Sequence, residues 1–486
     1  MKRAIPLAAA LVAIAALGGW AAGYAAGRTV YFYDAIAHAD YLAAYRLPIH
    51  VVQQAFPGWN VVFCVWGVLA ALAAVGAAFS RSLSHVGRRA LAVLLAVQAL
   101  TAFALIFFPI VQAGDVYAYV IYGRLYGHFG ANPYQISHPL SAADPIFGPI
   151  LPFLSATPFG DPYGPLWTII AGFVGKIDAS AGLGLIVYAY RGLGAAALLV
   201  ATSAVAYTYR FFGKAQAATR AAAFGLHPLA LYESVVGAHN DMLMLAPALW
   251  AFAIADSLPF AAALLAGASI AIKLPAILGL PFLLRRIAYR HGAAWIASLF
   301  IACAVPWLCG RAFPSATAGN AAMLGSAFSM SVDWLANIPI FTFGIGSGPA
   351  FPWLQSLPYF GTASWPRLIQ VCVLAAFAVI ACSGVIRFVW RPRPGEIWRT
   401  ITAFLWSLSS MHPWYGQWLL PAVAGGGRWA TYAWWYGALL AGIYALDGVA
   451  MTASAPWVPV TLCLAFLIVP VIVARSQPRT APGSAG

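Results

Sequence analysis

Four constellations in this chain combine residue types that can do chemistry. The first runs through Gly114-Asp115-Val116-Tyr117-Ala118-Tyr119 to Gly123-Arg124 and Asn132-Pro133-Tyr134. If 115–128 is helical, Asp115, Tyr119, Tyr122 and Tyr126 share one face. Tyrosines stack on sugar rings and donate hydrogen bonds, and a carboxylate can accept a hydroxyl proton. That set suits a polyhydroxylated ligand, although an interfacial belt of tyrosines would read the same way. Arg124 points away from Asp115 on a straight helix, so a site shared by the two requires a bend or another element.

The second constellation, Asp161-Pro162-Tyr163-Gly164-Pro165-Leu166-Trp167, offers two flat aromatic faces on a rigid backbone, and is equally a re-entry turn. The third places Glu233 after His227-Pro228, with His239-Asn240-Asp241 following. Asn240 and Asp241 could cap a helix. Capping leaves Glu233 and His239 unaccounted for, and ionisable residues at membrane depth cost about 2.5–3.5 kcal/mol at the centre of a span. The fourth comprises Lys273, at a helix break before Leu274-Pro275, and His412-Pro413-Trp414-Tyr415. Cations there can neutralise a phosphate as its charge grows; snorkelling and ordinary packing are the plain alternatives. Asp115, Glu233 and His239 could together hold a divalent ion, but no spacing demands one, and no metal or cofactor is expected.

The elements that must position these groups follow from composition. Of 486 residues, 63% are apolar or aromatic and 8% are charged, against about 25% charged in soluble domains. Mean hydropathy is +0.83, which excludes an ordinary soluble enzyme. The expected fold is an all-α polytopic membrane protein with about 11–14 transmembrane helices, some short or broken. The six cysteines mostly sit in apolar runs and read as buried small hydrophobes.

The formal charge of +14 reads as topology rather than as nucleic-acid binding. Residues 1–110 hold three N-terminal spans, the first of them uncleaved, with a basic turn at Arg81, Arg88 and Arg89. A large outer loop, 111–181, carries the Asp. Central spans occupy 182–310, with basic turns at Arg210, Lys214 and Arg220, and at Arg285, Arg286 and Arg290. A second outer loop covers 311–363, C-terminal spans 364–474, and a disordered cytoplasmic tail 475–486. With the N-terminus inside, the cytoplasmic side collects most of the Lys and Arg but only two acids, Asp256 and Glu396. The breaks at Lys273-Leu274-Pro275 and His412-Pro413 are of the kind tolerated where backbone faces protein or a cavity, and such breaks often mark binding sites.

Taken in order along 115–420, these motifs resemble the GT-C superfamily of membrane glycosyltransferases. They are most similar to the bacterial polyprenol-phosphate-mannose-dependent α-mannosyltransferases. The resemblance implies an inverting hexosyltransferase of the bacterial plasma membrane, working on the non-cytoplasmic, periplasmic face. Its donor would be a lipid-linked sugar, with mannose implied by resemblance alone, and its acceptor a glycolipid or polysaccharide hydroxyl. Asp115 matches the essential Asp of the first large outer loop and by that match is the general base. Here it follows the third span rather than the first. Lys273, His412 and Arg124 are then candidates for the donor phosphate. Tyr119, Tyr122, Asn132, Tyr134, Tyr163, Trp167, Glu233, His239, Asn240, Asp241, Trp414 and Tyr415 are candidates for sugar or acceptor. A transporter or flippase of a lipid-linked sugar would share the hydrophobicity and broken helices. It would also predict internal symmetry, and no repeat is visible.

Overall fold

The computed structural model describes residues 3–25, 59–108, 115–134, 143–148, 150, 160–177, 182–313, 395–407 and 413–452, with short pieces within 376–390 and at 469–473. The regular elements among these residues are helices, with no strand among them. They fall into two compact units, Met1–Met330 and Ser331–Gly486.

In the first unit, α1 (Ala4–Ala25) packs on α2 (Trp59–Ser82) and α3 (Ala90–Ile106). Next come α4 (Asp115–Gly127), α5 (Pro165–Gly175) and the long α6 (Gly182–Thr208). The chain continues with α7 (Lys214–Gly225), the single turn α8 (Pro228–Leu231) and a π-helical turn, Tyr232–Val236. The remaining helices are α9 (Asp241–Ile254), α10 (Pro259–Ile272), α11 (Leu280–His291) and α12 (Ala294–Gly310), with a 3-10 turn at Leu274–Gly279 between α10 and α11. Segments of α1, α2, α3 and α6 are long and apolar enough to cross a membrane; α5, α9, α10 and α12 are shorter apolar helices.

The helices are built for lipid rather than for water. On α3, Leu100 and Phe103 point outward while Gln98 and Thr101 are buried. Gln98 donates from Nε2 to Thr202 Oγ1 (2.9 Å) and to the Gly225 carbonyl (2.8 Å), tying α3 to α6 and α7. Polar groups turned inward and apolar groups turned outward reverse the soluble pattern and fit transmembrane packing. The thiols follow the same logic. The four cysteines among the described residues are free, and none is buried: Cys303 and Cys382 are exposed, Cys64 and Cys309 partly so. The expectation of buried thiols is thereby corrected for these four, because an outward, lipid-facing position suits a small apolar side chain as well as a core does. Cys372 and Cys463 lie outside the described residues.

Past α7 the helical run is broken. His227 accepts the Leu229 N–H at Nδ1 (3.2 Å), Pro228 opens α8, and the π turn follows. At the opposite end of these helices the basic turns gather. Ser80 donates to the Thr219 carbonyl, and Asp256, just past α9, is clasped by Arg286 at 2.7 and 2.8 Å. Helix α9 thus carries Asp241 at one end and the Asp256–Arg286 pair beyond the other.

Helices α4 and α5 cross through glycine. A Cβ at Gly127 would run into the backbone carbonyl of Gly172, and one at Gly123 into that of Ala171. Small residues four apart permit this close approach of backbones. Gly127→Ala is expected to cost up to about 3 kcal/mol by overpacking, because backbone rather than a flexible side chain must yield. It should appear as a lowered melting temperature of the detergent-solubilised protein.

In the second unit, α13 (Gly395–Ser407) lies against a 3-10 segment, Pro413–Leu419, followed by α14 (Pro421–Gly425) and α15 (Gly427–Thr452). Phe404 stacks on Trp418 with ring centroids 5.7 Å apart. The tail 475–486 and most of 311–363 lie outside the described residues.

Candidate active site

Asp115 opens α4 at its positively polarised end, where a carboxylate is favoured. Its Oδ2 accepts a hydrogen bond from the Tyr163 hydroxyl at 3.3 Å and lies 3.4 Å from His239 Nδ1. The other ring nitrogen of His239, Nε2, is 3.4 Å from Glu233 Oε2. One imidazole therefore stands between two carboxylates. Asp115 is 32% exposed, whereas His239 and Glu233 are fully buried.

The backbone that delivers His239 is unusual. The π turn Tyr232–Val236 adds a residue to the helical repeat, and Ala238 takes φ +54°, the one positive φ at a non-glycine residue among those described. Such π bulges and left-handed residues concentrate at functional sites. Gly194 on α6 lets the Ser234 carbonyl approach, since a Cβ there would collide with that oxygen. Arg191, fully buried in α6, donates to the carbonyls of Val236, Ile106 and Phe108 at 3.1, 2.6 and 2.6 Å. It thereby ties the turn to the end of α3. Sequence reasoning misses Arg191, although a lone arginine inside an apolar run is a signal.

Lys273 leaves the end of α10 in extended conformation and places Nζ 2.8 and 2.9 Å from the two carboxylate oxygens of Asp241, at the first turn of α9. The same ammonium lies 5.5 Å from the centroid of the Tyr163 ring. The Gly164 N–H donates to the Ile272 carbonyl (3.0 Å), and a Cβ on Gly164 would strike the Ala271 carbonyl. The Tyr163 loop is thus fastened by backbone to the residue preceding Lys273. Asn240 makes no capping bond from its side chain; its N–H donates to the Tyr119 hydroxyl at 3.4 Å. Helix capping therefore does not explain Asn240.

Tyr119 sits edge-on to Tyr163 and Trp167, with centroids 5.2 and 4.8 Å away. Asp161 is the brace beneath this wall. Its carboxylate accepts from Thr168 Oγ1 (2.7 Å) and from the Tyr163 N–H (2.9 Å), and Thr168 in turn meets the Tyr134 hydroxyl at 2.9 Å. Burial raises the Asp161 carboxyl to about 7, against the opposing pull of those two hydrogen bonds. A raised folded-state pKa means that the folded protein keeps a proton which the unfolded chain, with a carboxyl near 3.9, has lost. The Asp161 contribution to stability is therefore greatest below about pH 4 and is lost as pH climbs through about 7, on the order of 4 kcal/mol. Asp161→Asn, measured by thermal unfolding from pH 4 to 8, should flatten this slope.

The structure brings together Asp115, Tyr119, Tyr163, Trp167, Glu233, His239, Asn240, Asp241 and Lys273. Tyr122 is buried on α4, close enough to Asp161 and Asp115 to sense their charge. Asn132 accepts the Tyr134 N–H, and Tyr134 donates to the Tyr163 carbonyl, so both support the loop from behind. Arg124 is engaged elsewhere. It bonds Asp144 at 2.9–3.2 Å and stacks over Phe129 and Phe147, while Asp144 accepts the N–H groups of Ile146 and Phe147. Tyr126 packs on Phe313, away from Asp115. Trp414 and Tyr415 belong to the second unit, where Tyr415 meets Trp418; His412 and Gly114 lie outside the described residues.

A family model, MptA_B, described as alpha-(1->6)-mannopyranosyltransferase, N-terminal domain, matches residues 7–289. The chain belongs to this family. The match covers more than half of the chain and every member of the cluster from Asp115 to Lys273. No curated relative and no solved structure matches the chain. The protein is accordingly a membrane enzyme of the mannosyltransferase type, and the cluster is its candidate active site. The transporter reading gives way to the transferase.

Proposed function

We propose that this mannosyltransferase takes its sugar from a polyprenyl-phosphate donor and passes it, with inversion, to a glycolipid or glycan hydroxyl on the non-cytoplasmic face of a bacterial plasma membrane. A β-mannosyl phosphate would then give an α-linked product, 1->6 by analogy with the family's description. The acceptor oxygen attacks the anomeric carbon, the bond from that carbon to the phosphate oxygen breaks, and polyprenyl phosphate leaves with the electron pair. Asp115 takes the acceptor's proton, and Lys273 meets the growing phosphate charge.

The observation that carries this reading is the contrast among the clustered carboxylates. Asp115 alone is partly open; Glu233 is fully buried and Asp241 is both buried and held by Lys273. A lipid-linked donor also explains why the cluster lies where short apolar helices end, at the end of α9 opposite the basic turns. Sugar phosphate would sit at the interface with its prenyl chain between helices.

The test is transfer of radiolabelled mannose in membranes containing the protein. The label is supplied as synthetic polyprenyl-phosphate mannose in one arm and as a nucleotide sugar, with endogenous lipid carrier removed, in the other. Label incorporated into lipid or polysaccharide from the first donor only is the expected result. Equal use of the nucleotide sugar would overturn the donor assignment.

A further inference from the structure

We propose that His239 is a positioning residue for Asp115 and that Glu233, behind it, keeps one proton on the far side of the imidazole, so that Glu233, His239 and Asp115 act as a single proton-sharing chain. This rests on Asp115 being the base and adds to that reading what sets its orientation and its working pH range.

Both nitrogens of a single ring face a carboxylate oxygen at 3.4 Å. A neutral imidazole has one N–H and one lone pair, so without a further proton one of its nitrogens would turn a lone pair toward a carboxylate. With Asp115 ionised, as its role as base requires, the three groups avoid this repulsion by holding one proton between Glu233 and Nε2, either as the neutral acid donating to Nε2 or as imidazolium donating to the Glu233 carboxylate. Both arrangements contain the same number of protons and differ by one hop. In both, Nδ1 keeps its hydrogen and points it at Asp115 Oδ2, where the Tyr163 hydroxyl also donates. The acceptor's proton lands on the Asp115 carboxylate, and no net proton enters or leaves Glu233. At 3.4 Å these are ion-pair distances, and catalytic hydrogen bonds that are long or poorly aligned in a substrate-free site commonly tighten once substrate binds.

The surroundings add charge to this axis. From α4 come the phenols of Tyr119 and Tyr122, and from the loop before α5 come Tyr163 and the buried Asp161. From α9 and the end of α10 comes the Asp241–Lys273 pair. The π turn itself supplies Tyr232, and α6 supplies Arg191, whose guanidinium donates to the Val236 carbonyl of that turn. Gly237 makes room for the ring, since a Cβ there would crowd His239 Cδ2 at 2.7 Å. Ala238 holds the strained φ that turns His239 into the line.

Two limbs of the pH–rate profile report on the chain. The acid limb reports Asp115, whose anion is favoured by the Nδ1–H donor. The alkaline limb reports loss of the shared proton, after which the imidazole no longer holds Asp115. His239→Phe is expected to lower kcat about 100-fold with donor KM little changed, and to move the acid limb to higher pH. His239→Gln, which restores one donor, should recover part of both effects. Glu233→Gln can donate permanently to Nε2. It should lower kcat about tenfold and carry the alkaline limb beyond the measurable range.

The experiment is the kcat and KM profile from pH 5 to 9 for wild type and these variants in membranes, with polyprenyl-phosphate mannose as donor and Asp115→Asn as control. Limbs that stay in place in His239→Phe, His239→Gln and Glu233→Gln, or a loss confined to donor KM, overturn the proposal while the base assignment stands. Wild-type transfer by Asp115→Asn overturns both together. If Glu233→Gln fails to fold, the acid limb in the two His239 variants decides alone.

Discussion

Asp115→Asn should reduce mannosyl transfer by about 1000-fold or more, the scale of a lost general base, while the protein accumulates and melts as wild type does. Asn has the same shape, and its carbonyl oxygen can still accept from Tyr163 or from His239, so the local hydrogen bonding survives in large part. What it lacks is an affinity for the proton of the acceptor hydroxyl. Donor KM should change little, because the phosphate is met by Lys273 rather than by Asp115. The measurement is initial-rate transfer with matched amounts of folded protein, judged by melting temperature in detergent. A variant that folds and transfers at the wild-type rate would remove Asp115 from the chemistry. No accessible carboxylate in the cluster would then remain, since Glu233 and Asp241 are fully buried.

The parts of this site that the sequence makes legible are those set by local chemistry. A helix starting at Asp115 follows from the periodicity of 115–128, and the break at Lys273 follows from the proline two residues on. The aromatic pair Tyr163 and Trp167 stands out because Pro and Gly flank it. Charge sorting along the chain marks which helix ends gather the arginines, and the Asp256–Arg286 pair lies among them. The hidden parts depend on partners far apart in the chain. Nothing near Arg124 announces that Asp144 will hold it, and nothing near His239 announces that Asp115 will stand at its Nδ1. Tyr126 shares a helical face with Asp115, yet that face meets Tyr163 at one end and Phe313 at the other. The π turn is invisible to a periodicity argument because one inserted residue looks like noise in so short a run. Asp161 reads as a turn residue and is one, but its burial beneath the aromatic wall is a tertiary fact.

Lys273→Met carries the second large effect, and it divides into two parts that a double variant separates. The ammonium is mostly buried and sits 2.8–2.9 Å from both oxygens of a fully buried Asp241. Removing one partner of a buried pair leaves an uncompensated charge, at a cost of about 3–5 kcal/mol. The single variant is therefore expected to lose both stability and transfer, which by itself would not distinguish a brace from a phosphate ligand. Combining Lys273→Met with Asp241→Asn removes the stranded charge, and most of the lost melting temperature should return. Transfer should not return with it. A leaving phosphate still lacks its counter-charge, and the deficit in kcat should remain on the order of 100-fold, comparable to the loss of one preorganised electrostatic contact to a developing anion. Recovery of transfer together with stability would assign Lys273 to holding α9 against α10, and the donor phosphate would need another cation. Stability restored with transfer still absent would place the positive charge of Lys273 in the reaction, with Asp241 keeping that charge in place between turnovers.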